Sequence, residues 1–430
     1  MKVVINPIRP MLCDHEADFH VLVRLQSEPV AGFQPTPLNL ALVVDHSGSM
    51  SGSKLDEAKR CVVDLVRRMR ASDTVGIVLY EDQVQTLLPM STVDQVSGVI
   101  DSMMQTIRPE GSTALHAGWL RGGELVAPGA GRESACHVIL LSDGQANRGL
   151  THPASICEQV AALAGAGVTT TTVGLGAGFN EELMTAMAKA GQGRAHYGER
   201  AVDLAETFDA EIGLLSELQW RQVNLSITTG TGVELLNTYE RADSGWRMPS
   251  VAMGSECWAL LRMPMRSALA CQREHGTALA IRAEATDTHG QRSVFTGQLP
   301  VLPVVTQPQY EAEIGHELVE RRIHELAAAQ LQLRIRQAAL QGDWIRAEEL
   351  MAQLEQLGQQ EPWIAASIAF ARQLLRERDH DRMSKEMLYK SHKMHSRLSS
   401  TDESMFSLMS DRETPAFLRR KMAEGRRTGP

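Results

Sequence analysis

An apolar run, Leu38 to Val44, ends in an aspartate, and two serines follow at alternate positions in Asp45-His46-Ser47-Gly48-Ser49. One carboxylate and two hydroxyls therefore share the turn that leaves a buried strand, which is where open α/β sheets build their ligand sites. The chemistry suits a hard divalent cation, Mg2+ foremost, with Mn2+ or Ca2+ as substitutes. Mg2+ takes six oxygens in an octahedron, keeps several waters, and is usually held through only one or two carboxylates. Three oxygens from one turn make half a site. Two other stretches can supply more: Thr113 in Gly111-Ser-Thr-Ala-Leu115, and Asp143 in Val138-Ile-Leu-Leu-Ser-Asp-Gly144, where an apolar strand again ends in an aspartate and a turn glycine.

The surrounding sequence alternates strand and helix patterns, as a mostly parallel sheet covered on both faces requires. Strands are expected at Leu38 to Val44, Thr74 to Tyr80, Ala135 to Ser142 and Thr169 to Gly174, with weaker ones at Val84 to Leu88 and Arg194 to Tyr197. Leu55, Ala58, Val62, Leu65, Val66 and Met69 recur at three- and four-residue steps, which marks one face of an amphipathic helix. Ser53 and Asp56 have the spacing of a capping box at its start. A last helix is expected from Ala201 to Glu217, its buried face formed by Ala201, Ala205, Phe208, Ile212 and Leu215. The 45–49 turn thus runs straight into a helix N-terminus, whose partial positive charge favours anions and slightly opposes a cation.

Asp-x-Ser-x-Ser, a Gly-x-Thr loop and Leu-Leu-Ser-Asp-Gly, in that order over about one hundred residues, resemble the von Willebrand factor A domain with its metal-ion-dependent adhesion site. The resemblance implies five metal ligands: Asp45, Ser47, Ser49, Thr113 and Asp143. It also implies that an acidic side chain of a partner completes the metal shell, and that the last helix shifts when the site changes state. Charge counting reaches the same partner from the residues. Five protein oxygens leave at least one octahedral position, and a Glu or Asp carboxylate is its natural occupant.

At 430 residues the chain is expected to hold two or three domains, and 43% hydrophobic content is enough for real cores. The net charge of -9 argues against general nucleic-acid binding, which needs clustered Lys and Arg. No apolar stretch reaches the ~18 residues of a spanning helix. Met1-Lys-Val-Val-Ile-Asn-Pro7 lacks the apolar core of a signal peptide. The six cysteines, Cys13, Cys61, Cys136, Cys157, Cys257 and Cys271, are scattered without Cys-x-x-Cys spacing, so a zinc ribbon is not expected. They read as reduced thiols, and the protein as cytoplasmic, with no membrane or nucleic-acid partner.

After about Leu218 the period changes. Short strands at Trp220 to Thr229, Val233 to Asn237, Cys257 to Met263, Ala278 to Ala285 and Ser293 to Leu299 suggest an antiparallel sandwich. Phe19 to Gln26 alternates, with Val21, Val23 and Leu25 on one side, and needs a sheet to join. The fold class is therefore α/β, a doubly wound mostly parallel sheet, with an antiparallel β-sandwich and a C-terminal helical segment. The expected divisions are 1–36, a strand region joining the sandwich; 37–217, the metal domain; 218–306, the sandwich; 307–395, helices; and 396–430, a disordered tail. The helical segment carries Ile314, Leu318, Ile323, Leu326, Leu331 and Leu333, breaks at Gly342-Asp343, and resumes to Leu357, with a third helix after Pro362. The tail's hydroxyls between Ser399 and Thr414 could serve a kinase, and Met405 to Met409 or Phe417-Leu418 a docking partner. An accessible hydroxyl-rich tail is the plainer account.

Other residues compete for a role. His46 lies between two site residues, but its side chain alternates away from theirs in an extended turn, and a general base must lie within hydrogen-bond reach. His116 and His137 fit a helix surface and a strand neighbour better than zinc ligation, because no His-x-x-x-His pair accompanies them. Gly174-Leu-Gly-Ala-Gly178 lacks Gly-x-Gly-x-x-Gly and is better read as a strand-to-helix connection. The favoured function is a metal-dependent protein-binding module, a scaffold or adaptor rather than an enzyme. An accessory subunit of a MoxR or chelatase-type ATPase is the second; no Walker A motif is present, so hydrolysis would belong to the partner. A metal-assisted hydrolase is the weakest, since neither a general base nor a second metal cluster accompanies the site.

Overall fold

The computed structural model describes residues 1–28, 35–130, 134–175, 179–198, 201–242 and 244–359, together with scattered positions between 368 and 400. Two compact units are present. One is built from the first 33 residues and most of the chain beyond residue 218; the other is centred on residues 34–218. The first unit begins with β1 (Lys2–Pro7) and β2 (Asp18–Gln26), which pair antiparallel.

The second unit then runs β3 (Leu38–Asp45), α1 (Ser53–Arg68), β4 (Thr74–Tyr80), β5 (Val84–Thr92), α2 (Ile100–Thr106), α3 (Leu115–Val126) and β6 (Ala135–Ser142). It continues with α4 (Pro153–Gly165), β7 (Val168–Leu175), α5 (Glu181–Ala190), β8 (Gln192–Gly198) and α6 (Ala201–Ser216). The sheet order is β5-β4-β3-β6-β7-β8, parallel throughout except for β5. Its central strands lie between helices. All eight residues of β6 are buried, which is why the sequence there is a continuous apolar run rather than an alternating one. Leu40, Leu42 and Val44 of β3 share one apolar cluster with Leu55, Val62 and Leu65 of α1 and with Phe208 and Ile212 of α6.

The helix-capping expectation fails. The N-cap of α1 is Gly52, at φ 78°, and no side chain caps the helix. Ser53 already lies inside the first turn, where its hydroxyl cannot fill the N-cap role. The tight exit from the 47–51 turn requires left-handed backbone just before the helix, which glycine adopts without strain. In α6 Ala201, Phe208, Ile212 and Leu215 of the expected face are buried, and Leu204 joins them; the side chain of Ala205 lies outside the described residues.

The first unit resumes with β9 (Leu218–Thr229), β10 (Ser255–Pro264), α7 (Met265–His275), β11 (Ala280–Thr286) and β12 (Arg292–Gln298). Among the described residues it continues into α8 (Glu317–Leu340) and α9 (Trp344–Gly358). β2 lies between β1 and β10, antiparallel to both, while β11 lies between β9 and β12. Val21, Val23 and Leu25 of the first sheet meet Leu225, Ile281 and Ala283 of the second in one core. The other face of β2 and β10 is also buried: Leu22, Trp258 and Leu260 pack with Val319 and Leu326 of α8. The Arg322 guanidinium lies 4.4 Å from the centre of the Trp258 ring and pairs with Glu325 at 2.7 Å. Leu22→Ala is expected to cost about 2–5 kcal/mol, because it opens a cavity under α8; chemical denaturation measures it.

Three details depart from the sequence pattern. The strand expected at Val233 to Asn237 shrinks to Glu234–Leu235. Helix α7 has no counterpart in the sequence pattern, since it continues from β10 without a break other than Pro264. Ile314 is 86% exposed because it precedes α8, which starts after His316. Ser399–Ser400 pair with the start of β10; the remaining tail positions, including Met405 to Met409 and Phe417-Leu418, and most of the third helix lie outside the described residues.

Candidate metal centre

Strands β3 and β6 are parallel neighbours, so Asp45 and Asp143 leave the same edge of the sheet in adjacent loops. Both are fully buried. Asp45 closes β3 with its carboxylate fixed on both oxygens. Oδ1 accepts from the Ser47 amide at 2.9 Å. Oδ2 accepts from the Ser142 hydroxyl at 2.7 Å and from the Tyr80 hydroxyl at 3.2 Å. Ser142 in turn accepts from the Gly144 amide at 2.8 Å, tying the end of β6 to the same carboxylate.

The hydroxyls of Ser47 and Ser49 stand 3.0 Å apart, Ser47 buried and Ser49 exposed. Their turn is stitched to the 110–113 loop: the Gly48 amide donates to the Gly111 carbonyl at 3.0 Å, and the Glu110 amide to the His46 carbonyl at 2.9 Å. Thr113, buried, is stitched to the loop after Asp143, since its carbonyl accepts from Asn147 at 3.0 Å and Arg148 at 3.2 Å. The Asp143 carbonyl accepts from the Asn180 amide at 2.8 Å. Gly144 takes φ 70°, and a Cβ there would lie 2.8 Å from Met184, so the turn after Asp143 needs glycine on both counts. All five sequence-predicted residues therefore sit in three hydrogen-bonded loops at one end of the sheet.

Burial pushes the Asp45 carboxyl above its ordinary value; the hydrogen bonds from Ser142 and Ser47 pull it down, and the neighbouring Asp143 charge pushes it up again. Two carboxylates that repel each other out of water call for a positive charge between or beside them. One is already present. Lys54, in the first turn of α1, places Nζ 3.1 Å from Asp143 Oδ2.

Residues 39–210 match the family model described as von Willebrand factor type A domain. The central domain belongs to that family. A relative, the uncharacterized protein sll0103 of Synechocystis sp., is 28% identical over 173 residues, a match spanning 40% of this chain and 40% of that protein. The VWA2 paralog of ArnB from Sulfolobus acidocaldarius shares the fold with TM-score 0.61 at 16% identity, over 92% of this chain and 97% of that one. A von Willebrand factor type A protein from Catenulispora acidiphila does so with TM-score 0.64 at 16% identity, over 90% and 88%. The likeness in fold therefore extends past the VWA domain into the other unit.

The chemistry of the donor set fits the cation that the VWA resemblance implies. Asp45, Asp143, Ser47, Ser49 and Thr113 offer hard oxygens only, two of them from carboxylates, which is the Mg2+ pattern. Among the described residues no group of three or more His, Cys, Asp or Glu could hold a metal ion. The ammonium of Lys54 at Asp143 shows that the acid pair accepts positive charge.

The three histidines have other attachments. His46 Nδ1 lies 3.0 Å from the Arg108 carbonyl, His116 Nε2 2.9 Å from Gln159, and His137 Nδ1 2.6 Å from Thr169. Gly174, the next-to-last residue of β7, lies so close to the Phe179 ring that a Cβ there would be 2.5 Å from it; residues 176–178 lie outside the described residues. Sequence reasoning missed Tyr80, Ser142 and Lys54. Ser142, next to Asp143 and ending an apolar strand, carried a readable signal; Lys54 did not.

Proposed function

We propose that the VWA domain is a cation-dependent protein-binding module that recognises an acidic side chain of a partner, and that the chain is not an enzyme. The observation that carries this reading is how firmly Asp45 is held: Oδ1 accepts from the Ser47 amide and Oδ2 from the Ser142 and Tyr80 hydroxyls, which fixes the carboxylate and leaves Oδ1 capacity for one further ligand. A carboxylate so held positions a ligand well and serves poorly as a mobile base. His46, the nearest histidine in sequence, is turned to the Arg108 carbonyl. When bound, a divalent ion would supply an open coordination position for a Glu or Asp carboxylate. Around it, Ser49, Gly48 and Gly111 are exposed, so the loops leave that side open to a visitor.

The compartment is part of the same proposal. Five of the six cysteines are buried and none forms a disulfide among the described residues, which suits a reducing cytoplasm. Thr113→Ala should lower Mg2+-dependent capture of the partner by more than about tenfold, the worth of one lost ligand on the affinity scale, while circular dichroism stays unchanged. Capture that survives EDTA overturns the proposal.

A further inference from the structure

We propose that Lys54 sets the charge of the loaded site: it weakens the hold on the metal and in exchange makes the metal-bound domain a receptor for anions. The inference rests on the reading that Asp45 and Asp143 hold a divalent cation.

Lys54 is the second residue of α1, and its side chain is 24% exposed, whereas Asp143 is fully buried. The ammonium reaches in from solvent to a carboxylate 89 positions away and sits 3.1 Å from its Oδ2. The position is an unfavourable one for a lysine on its own, since the positive end of a helix repels cations. The ion pair with Asp143 holds it there.

Charge and geometry have two consequences. Asp45 and Asp143 together carry two negative charges, the serine and threonine hydroxyls none; a divalent cation alone would leave the site neutral. With Lys54 the loaded site keeps one positive charge, to which the N-terminus of α1 adds. An incoming carboxylate then neutralises a charge rather than creating one. In addition, Lys54 occupies Asp143 Oδ2, and the remaining Oδ1 has only a long contact, 3.4 Å, from the Gln145 amide. Oδ1 is therefore the less occupied oxygen of Asp143 and the one that would hold a cation.

The test uses the full chain and Mn2+ as the probe metal, with Lys54→Met to remove the charge and keep the apolar stem, Lys54→Gln as a second neutral variant that still donates a hydrogen bond, and Lys54→Arg to keep the charge. Calorimetry reads Mn2+ affinity directly. Water-proton relaxation by protein-bound Mn2+ reads the coordinated water, and added acetate displaces it. Removing a positive charge this close should raise Mn2+ affinity by about tenfold or more in Lys54→Met and Lys54→Gln, and several-fold more acetate should be needed to quench the relaxation. Lys54→Arg should stay near wild type in both. Mn2+ affinity unchanged or reduced in the neutral variants would overturn the proposal and leave Lys54 as a prop for Asp143; so would equal acetate sensitivity in all four proteins. Failure of the underlying metal reading looks different: wild-type Mn2+ binding would be absent, or would persist undiminished in Asp45→Asn.

Discussion

Asp45→Asn is expected to abolish the Mg2+-dependent rise in melting temperature while leaving the metal-free domain folded. A ligand that binds only the native state at about 100 times its Kd stabilises it by roughly 2.7 kcal/mol, and for a domain of this size each kcal/mol moves Tm by about 2–4 °C. Wild-type protein in excess Mg2+ should therefore melt several degrees above its EDTA sample, and the variant at the same temperature in both. The metal-free fold should tolerate the change. Asparagine keeps the shape, its oxygen can still accept from the Ser47 amide, and the hydroxyls of Tyr80 and Ser142 can turn to accept from the new amide group. The substitution also removes one of two neighbouring buried negative charges, so stability in EDTA should stay within about 1 kcal/mol of wild type or rise. Scanning calorimetry with and without Mg2+ decides it, and a Mg2+ shift that survives in Asp45→Asn would remove Asp45 from the site.

The five site residues are legible in the sequence because each stands at a local event: Asp45 and Asp143 end apolar runs, Ser47 and Ser49 alternate in the turn, and Thr113 comes two residues after a glycine in a short polar loop. Parallel strands buried on both faces announce themselves as continuous apolar runs, which is why Thr74–Tyr80 and Ala135–Ser142 can be bounded from sequence. What stays hidden is whatever depends on a distant partner. Lys54 looks like any lysine near a helix start until Asp143 is brought beside it. Helix α7 is masked by the strand that feeds it, although Gly276, left-handed at φ 74°, marks where it stops. The capping box at Ser53 shows the converse: a correct local spacing can be preempted when the chain enters the helix one residue earlier, through Gly52.

Glu211→Ala should be the most destabilising single change in the VWA domain, at about 3–5 kcal/mol, the usual result of removing one member of a buried charged cluster. Glu211 lies on α6 and is only 2% exposed. Oε1 accepts from the Thr171 hydroxyl of β7 at 2.7 Å, and Oε2 from His196 of β8 at 3.3 Å, with the Arg194 guanidinium at 3.6 Å. His137 Nε2 of β6 stands 3.8 Å from Oε1 without a hydrogen-bond partner. One carboxylate thus pins the last helix to two strands, β7 and β8, and lies beside His137 of a third. Burial alone would raise its pKa, but the hydrogen bond from His196 and the charge of Arg194 outweigh burial and hold Glu211 below the usual carboxylate range. Burial pushes His137 down to about 4, with the Glu211 charge opposing and His196 and Arg194 assisting. The two depressed values act in the same direction. His137 is neutral in the fold, so its contribution is present above its unfolded value near 6.5 and is lost as pH falls from there through about 4, on the order of 3 kcal/mol. The Glu211 contribution is present above its unfolded value of 4.5 and is lost only at lower pH. His137→Gln should therefore flatten stability between about pH 6.5 and 4 without loosening α6, whereas Glu211→Ala should speed hydrogen exchange across Ala201–Ser216 even at neutral pH. Equal exchange of α6 in wild type and Glu211→Ala would show that apolar packing of Phe208, Ile212 and Leu215, rather than the carboxylate, holds the helix to the sheet.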